Sequence, residues 1–322
     1  MRPASPRLAV VATGGTILGA SRPEGGYTAG VLSAAGWLHT LPHTIPELDF
    51  EVSTPFSMDS AHLEPAHWLK LAHWVHPLLQ RADLDGIVIL HGTDTLEETA
   101  LCLASLLPRT KPVVLTAAMR PADHPEADGP ANLQDALCAA LDPRAAAWGP
   151  VLAMQGKLYA AQGLMKHNLS LDAFAGSPLL GKVHPEAHCV DWLAPAPAAI
   201  TLPIPIPPSL PPVALVSVYP GMPAEMLEMA LSQAAGLVLI GLGAGTFPPE
   251  IVAVVARGIQ AGKRIVCASR VPHGVVRVAD LPAGCVSAGT LSPQQARVAL
   301  MLQLSQNLAP HSLGGQEPFV GQ

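Results

Sequence analysis

A threonine close to the N-terminus is the first residue of this sequence suited to nucleophilic chemistry. Thr16 comes after the apolar run 8–12, LAVVA, and the pair Gly14-Gly15. A hydroxyl becomes a nucleophile when a nearby base accepts its proton. The glycines permit backbone angles and close approaches that a side chain would block. The pattern predicts a hydroxyl presented at the end of a strand.

A second hydroxyl, with a carboxylate beside it, follows another apolar run. Residues 85–90, DGIVIL, lead into His91-Gly92-Thr93-Asp94-Thr95. Two strand ends that carry hydroxyls, one next to an acid, form a nucleophile-and-helper arrangement. Each motif alone is equally compatible with a helix cap, because Thr and Asp side chains also cap helices. The occurrence of both motifs in one chain favours a catalytic role over helix capping.

The sequence favours neither a dinucleotide-binding site nor a metal site. A dinucleotide fingerprint needs glycine at its first, third and sixth positions, and Thr16 stands at the third, counted from Gly14. His73 and His76 are spaced i, i+3 but lack a carboxylate or cysteine that would complete a ligand shell. We therefore expect no cofactor and no metal.

The elements that position these residues alternate between apolar strands and helices. Strands are predicted over 8–12, 85–90, 112–117 and 151–154, and over 50–60; helices are predicted from Pro65 and over 96–107 and 132–141. Such alternation predicts a parallel sheet with right-handed crossovers, whose ligands bind at the carboxyl ends of the strands. The fold class is α/β, with an N-terminal doubly wound, mostly parallel sheet.

A proline-rich segment divides the chain. Residues 194–212 contain eight prolines, which predicts an extended linker. We predict a catalytic α/β domain over 1–193, the linker over 194–212, and a smaller C-terminal α/β domain over 213–322. In the last of these, buried strands at 213–218, 237–240 and 264–268 alternate with helices from Ala224, Pro249 and Pro293.

Composition excludes several classes of partner. The 322 residues are 49% apolar and carry a net charge of −6, which disfavours nucleic acid and anionic membrane surfaces. No apolar run reaches the roughly 18 residues of a transmembrane helix. Five scattered cysteines indicate neither a zinc site nor a disulfide framework. No signal peptide is visible, so we expect a cytoplasmic protein.

Taken together, the motifs resemble the bacterial asparaginase/glutaminase family of amidohydrolases. The resemblance rests on ATGGTI at 12–17, HGTDT at 91–95, MDS at 58–60, AMRP at 118–121, DGPAN at 128–132, Lys166, and SAGTLSP at 287–293. These motifs occur in the family's order over nearly the whole chain. Several ordered motifs are far more specific than any one of them.

The resemblance implies hydrolysis of the side-chain amide of L-asparagine, with L-glutamine as the alternative substrate. Thr16 would attack the amide and form an acyl-enzyme, while Thr93 and Lys166 would accept the proton. A lysine acts as a base only in its neutral form, so Asp94 is expected mainly to bind the substrate's α-ammonium. Backbone N–H groups near Gly15 and Thr93 would hold the oxyanion.

Further positions follow from the same resemblance. Asp59 would pair with the α-ammonium, and Ser60 would donate to the α-carboxylate. Tyr27 matches the family's lid, whose tyrosine hydroxyl reaches the nucleophile, and the glycine-rich segment 19–30 around it is typical of a mobile loop. Lys157 competes with Lys166 for the role of base, but it follows a strand directly and is predicted to lie in a turn.

The family forms homotetramers as pairs of dimers, which implies a homo-oligomer, dimer or tetramer, with a small-molecule substrate. Two positions depart from the secreted members of the family. Those members carry an acid in the second domain that reaches a neighbouring subunit's site, whereas the only acid of 272–287 is Asp280. Ala244 stands where they have a polar residue.

Two alternatives to an asparaginase stay open. One is the ammonia-donating subunit of a tRNA amidotransferase, which shares these motifs but normally carries an extra N-terminal domain. The other is an inactive amino-acid-binding protein on the same scaffold, against which the retained Thr16, Thr93, Asp94 and Lys166 argue. Release of free ammonia from a panel of amides separates the three.

Overall fold

The chain divides into two units, Met1–Ile206 and Pro207–Gln322, each built on its own sheet. The computed structural model describes residues 5–40, 48–176, 178–195, 203–272 and 274–306. The division between the units falls inside the proline-rich segment 194–212. Residues 196–202 of that segment lie outside the described residues.

The first unit alternates strands and helices before it ends in short strands. Its strands are β1 (Arg7–Ala12), β2 (Ala20–Ser21), β3 (Tyr27–Thr28), β4 (Asp49–Ser53), β5 (Gly86–Leu90), β6 (Val113–Thr116), β7 (Pro150–Met154), β8 (Lys157–Ala160), β9 (Met165–Lys166), β10 (Phe174–Ala175), β11 (Leu179–His184) and β12 (Cys189–Trp192). Its helices are α1 (Ala34–Thr40), α2 (Pro65–Leu78), α3 (Leu96–Leu106) and α4 (Gly129–Leu141).

The main sheet of this unit has the spatial order β12-β11-β8-β7-β6-β5-β1-β4. The strands β4, β1, β5, β6 and β7 are parallel, and β8, β11 and β12 extend the sheet in antiparallel pairing. Numbered along the chain, the parallel strands lie in the order 2-1-3-4-5. In that order the binding crevice opens where the winding reverses, between β1 and β5.

The parallel strands other than the edge strand β4 are buried on both faces. Residues 8–12, 86–90 and 113–116 are all buried, and α4 packs on β6 and β7. Continuous apolar runs form such strands because neither face meets water. The core therefore fixes the strand ends at which the polar motifs begin.

The second unit is a smaller parallel α/β fold. Its strands β13 (Val213–Ser217), β14 (Gly236–Gly241), β15 (Arg264–Ser269) and β16 (Val286–Ser287) lie in that order, with helices α5 (Ala224–Gln233), α6 (Pro249–Gln260) and α7 (Pro293–Ser305). The predicted α/β class, with a larger mostly parallel sheet and a smaller C-terminal sheet, is confirmed. In the described residues no helix is long and apolar enough to span a membrane.

Several predicted details were wrong. The strand predicted over 50–60 ends at Ser53, because Pro55 cannot donate to a sheet ladder. The antiparallel strands β8, β11 and β12 and the short β16 were not predicted. The strand β13 is not a buried strand: only Val213 is buried, and Leu215 and Ser217 are exposed, since the strand lies at the edge of its sheet. Lys157 does not lie in a turn; it begins β8 after the turn at Gln155-Gly156.

Candidate active site

Glycines bring the ends of three neighbouring strands into direct backbone contact. Gly14, with φ of 102°, forms a parallel bridge to Met58 in the segment that follows β4. A β-carbon at Gly15 would lie 2.5 Å from the Cα of Gly92, which follows β5. A β-carbon at Gly92 would in turn lie 2.5 Å from the Ser60 hydroxyl oxygen. Only glycine permits these approaches.

The two threonines that the sequence singled out follow directly after the touching glycines. Thr16 begins a short 3-10 helix, Thr16–Leu18, and is 4% exposed, while Thr93 is 6% exposed. Because Gly15 and Gly92 are in contact, the next residue of each segment lies at the same crevice. The Gly15 N–H, which was expected to hold an oxyanion, donates instead to Met58 O over 3.0 Å.

Lys166 joins this group from the strand β9. Its Nζ donates to Thr93 Oγ1 over 2.9 Å and to Asp94 Oδ1 over 2.6 Å. The lysine side chain is 16% exposed and that of Asp94 is 48% exposed, so the pair faces outward on the aspartate side. Lys157, the competing lysine, pairs instead with Asp172 Oδ1 over 2.8 Å. The structure therefore selects Lys166 as the amine beside a candidate hydroxyl.

The segment after β4 adds a hydroxyl and a carboxylate to the same crevice. The Ser60 hydroxyl accepts a hydrogen bond from Asp94 N over 3.2 Å, and Thr95 Oγ1 donates to Ser60 O over 2.9 Å. Ser60 thus keeps its own proton for donation to a ligand. Asp59 Oδ1 accepts from Ala61 N, which places the carboxylate at the start of a short 3-10 helix.

Tyr27 lies on a small hairpin formed by β2 and β3. Its ring packs beside Gly19, where a β-carbon would lie 3.3 Å from the ring. The hairpin returns to the nucleophile turn, because the Gly30 N–H donates to Gly15 O over 3.0 Å. No hydrogen bond joins the Tyr27 hydroxyl to Thr16 in the described part of the chain, so the contact expected of a closed lid is not formed here.

His91 holds the Gly92–Thr93 peptide in place through a hydrogen bond to its carbonyl oxygen, a role that the sequence did not indicate. It is completely buried, and burial lowers its pKa to about 4, so the ring is neutral at neutral pH. Its Nδ1 lies 2.7 Å from Gly92 O and its Nε2 lies 3.0 Å from Thr99 Oγ1. We assign the proton to Nδ1, which then donates to the carbonyl, while Nε2 accepts from the hydroxyl.

Two other residues around the motif were also missed. Thr95 fixes the Ser60 backbone, and Glu97 lies buried at the start of α3. A Thr two residues after another Thr, and a Glu beside Glu98, carry no periodicity that separates them from surface residues. Only the tertiary contacts distinguish them.

In the second unit, the segment 272–287 contains one acid, Asp280, that could be considered for a neighbouring subunit's site. This carboxylate is already paired within its own segment. Asp280 Oδ2 accepts from Arg277 Nε over 2.8 Å, within one short 3-10 turn. Ala244 lies in the tight turn after β14, closed by the bridge between Leu242 and Thr246.

The arrangement in the first unit has the parts that amide hydrolysis requires. It has a buried hydroxyl after a glycine turn, a second hydroxyl bonded to an amine, backbone N–H groups at strand ends, and acids for an ammonium. Among the described residues, no group of three or more His, Cys, Asp or Glu side chains is arranged to hold a metal ion.

Comparison with known proteins agrees with this chemistry. The family model "Asparaginase, N-terminal" matches residues 7–193, and "Glutaminase/Asparaginase C-terminal domain" matches residues 212–314. This chain belongs to the asparaginase family. The family resemblance inferred from the motifs is therefore confirmed.

Relatives of this family match over nearly their whole length. A probable L-asparaginase from Deinococcus radiodurans is 35% identical, with 94% of each chain covered. A probable periplasmic L-asparaginase from Haemophilus influenzae is 33% identical over 95% of this chain and 90% of its own. The crystal structure of a probable cytoplasmic L-asparaginase from Campylobacter jejuni superposes with a TM-score of 0.87 at 32% identity, covering 98% and 99% of the two chains.

Proposed function

We propose that this protein is an L-asparaginase, which hydrolyses L-asparagine to L-aspartate and ammonia through a threonine nucleophile, without a cofactor. The observation that carries the proposal is the 2.9 Å hydrogen bond from Lys166 to Thr93, beside the turn that presents Thr16. Family membership and the L-asparaginase names of the relatives support the substrate class.

In the proposed reaction, Thr16 Oγ1 attacks the side-chain amide carbon. Its proton passes through Thr93, or through a water, to the neutral amine of Lys166. Asp94 Oδ1, 2.6 Å from that amine, stabilises the ammonium that results. The carbonyl oxygen becomes an oxyanion, held by the backbone N–H groups of Thr16 and Thr93.

The tetrahedral intermediate then collapses with loss of ammonia, which leaves an ester between the aspartyl group and Thr16. The ammonium of Lys166 returns the proton that the departing amine needs. Water attacks the ester next, and the same residues transfer its proton back to Thr16 Oγ1. The atoms of asparagine and one water are thereby converted to aspartate and ammonia.

The amino-acid end of the substrate is held by the segment after β4. Ser60 donates its hydroxyl proton to the α-carboxylate. Asp59 and the second oxygen of Asp94 pair with the α-ammonium, each charge-assisted bond contributing roughly 1.5–3 kcal/mol. Closure of the hairpin that carries Tyr27 then brings its hydroxyl to Thr16 and excludes water.

We also propose that the enzyme works as a homo-oligomer, dimer or tetramer, in the cytoplasm. In this proposal Asp59 and Asp94 of one subunit bind the substrate's ammonium, and Asp280 pairs with Arg277 of its own segment. Light scattering at assay concentration measures the assembly, and fractionation of the source cells tests the compartment.

Ammonia release from a panel of amides tests the proposed activity. The panel is L-asparagine, L-glutamine and succinamic acid, which is asparagine without its α-amino group. We expect free ammonia from L-asparagine, with glutamine slower and succinamic acid much slower because its ammonium is missing. Binding of asparagine without ammonia release would identify an amino-acid-binding protein instead, and release only in the presence of a partner protein would identify an amidotransferase subunit.

A further inference from the structure

A buried glutamate contacts the backbone of the lysine in the candidate site. Glu97 stands in the first turn of α3 and is 6% exposed, whereas its neighbour Glu98 is partly exposed. The helix α3 begins immediately after Thr93-Asp94-Thr95, so Glu97 is attached to the same segment as the candidate hydroxyl. Acidic side chains are rarely this deeply buried without a specific partner.

One partner of Glu97 is the backbone of Lys166. The glutamate carboxyl accepts a hydrogen bond from the Lys166 N–H. The strand β9, which carries Lys166, is only two residues long and pairs, within the described residues, with β10 alone. It is therefore not a member of the main sheet that positions Thr93. The contact with Glu97 connects the lysine strand to the helix that begins beside Thr93.

The neutral, protonated form of Glu97 is compatible with its contact with the Lys166 backbone. Burial, reinforced by the charge of Glu98, raises the pKa of Glu97 to about 8, although the Lys166 contacts act in the opposite direction. At neutral pH the group is mostly a neutral acid. It can accept the N–H through its carbonyl oxygen while adding no second carboxylate charge that would favour the ammonium form of the lysine.

We propose that Glu97 is a positioning residue, which holds the Lys166 backbone so that the lysine amine meets the Thr93 hydroxyl. The proposal rests on the function proposed above for Lys166. In the proposed reaction Glu97 transfers no proton and binds no part of the substrate; it acts through the backbone of Lys166. Its loss therefore slows proton transfer without weakening substrate binding, because displacement of a reacting group by about 1 Å costs up to roughly 100-fold in rate.

Four variants test this role by steady-state ammonia release from L-asparagine at pH 7. Glu97→Gln keeps a neutral acceptor of the same shape, and we expect kcat within about twofold of wild type. Glu97→Leu keeps the volume but removes the acceptor, and we expect kcat to fall at least about tenfold with KM within about threefold. Glu98→Gln is the matched control: burial, the larger cause of the raised pKa of Glu97, is retained, so kcat and KM should stay within about twofold of wild type. Lys166→Met reports on the underlying function, and thermal unfolding confirms that each variant is folded.

The outcomes separate the two proposals. Inactivity of Lys166→Met together with full activity of Glu97→Leu overturns the role of Glu97 alone. Full activity of Lys166→Met overturns the proposed reaction, and the role of Glu97 with it. A tenfold fall of kcat in Glu97→Gln also overturns the proposal, and this near-isosteric variant decides the matter even if Glu97→Leu does not fold. A parallel rise of KM with the fall of kcat would indicate a general structural defect and would count against positioning.

Discussion

Replacing Gly15 by alanine should disrupt the junction on which the site is built. Gly15 has φ of 81° and ψ of −179°, a region that is essentially restricted to glycine, and the strain on alanine there is about 1–3 kcal/mol. The new β-carbon would lie 2.5 Å from Gly92 Cα, 2.5 Å from Gly92 N and 2.7 Å from the carbonyl carbon of His91. These are backbone atoms, which cannot rotate away, so overpacking adds about 1–3 kcal/mol.

The two costs together predict a loss of about 2–6 kcal/mol in the free energy of unfolding. The backbone must shift to admit the β-carbon, and this moves Thr16 relative to Thr93. We therefore expect kcat for L-asparagine to fall about 100-fold even at temperatures where the variant is folded. Urea unfolding measures the free energy of unfolding, and ammonia release from L-asparagine measures kcat.

A matched control is available in α1. An alanine β-carbon at Gly36 would make only ordinary contacts, the nearest 3.6 Å away, and the helix should gain about 0.5–1 kcal/mol. Gly36→Ala should therefore be fully active and slightly more stable. A loss of less than about 1 kcal/mol in the free energy of unfolding of Gly15→Ala, with wild-type kcat, would contradict this prediction.

Three further predictions follow from the site. Lys166→Met should lower kcat at least about 100-fold while Lys157→Met changes little, and the reverse ranking in ammonia release would refute the choice of lysine. Tyr27→Phe should lower kcat more than it raises KM, so an unchanged kcat would leave Tyr27 as a surface residue. The pKa of His91, lowered to about 4 in the folded state, makes the unfolded state bind the extra proton, so stability should fall by about 3 kcal/mol from pH 6.5 to pH 4. In urea unfolding, His91→Asn should lack this fall in stability between pH 6.5 and pH 4. The same pH dependence in the variant and the wild type would contradict the prediction.

The sequence predicted the parts of the fold that local pattern determines. The runs at 8–12 and 85–90 are continuous and apolar, and both form strands of the parallel sheet with polar motifs at their carboxyl ends. The strands β11 and β12 were missed because they carry exposed residues among buried ones, and because they are held by antiparallel pairing with each other and of β11 with β8. Such pairing leaves little trace in the local sequence.

In the candidate site, too, some residues could be predicted from the sequence and others could not. Thr16, Thr93 and Lys166 belong to recognisable motifs, so the sequence alone is sufficient to select them. His91 and Glu97 could not, because their importance lies in burial and in bonds to the backbone of other segments. A glutamate in the first turn of a helix is ordinarily a favourable surface residue.

The most direct test of the account is to locate the covalent intermediate. The enzyme is mixed with L-asparagine, quenched in acid during turnover, digested and mapped by mass spectrometry. We predict an aspartyl ester on the peptide that contains Thr16, and its absence in Thr16→Ala, which should still bind asparagine but release no ammonia. An ester on the peptide that contains Thr93, or near wild-type ammonia release by Thr16→Ala, would contradict the assignment of the nucleophile.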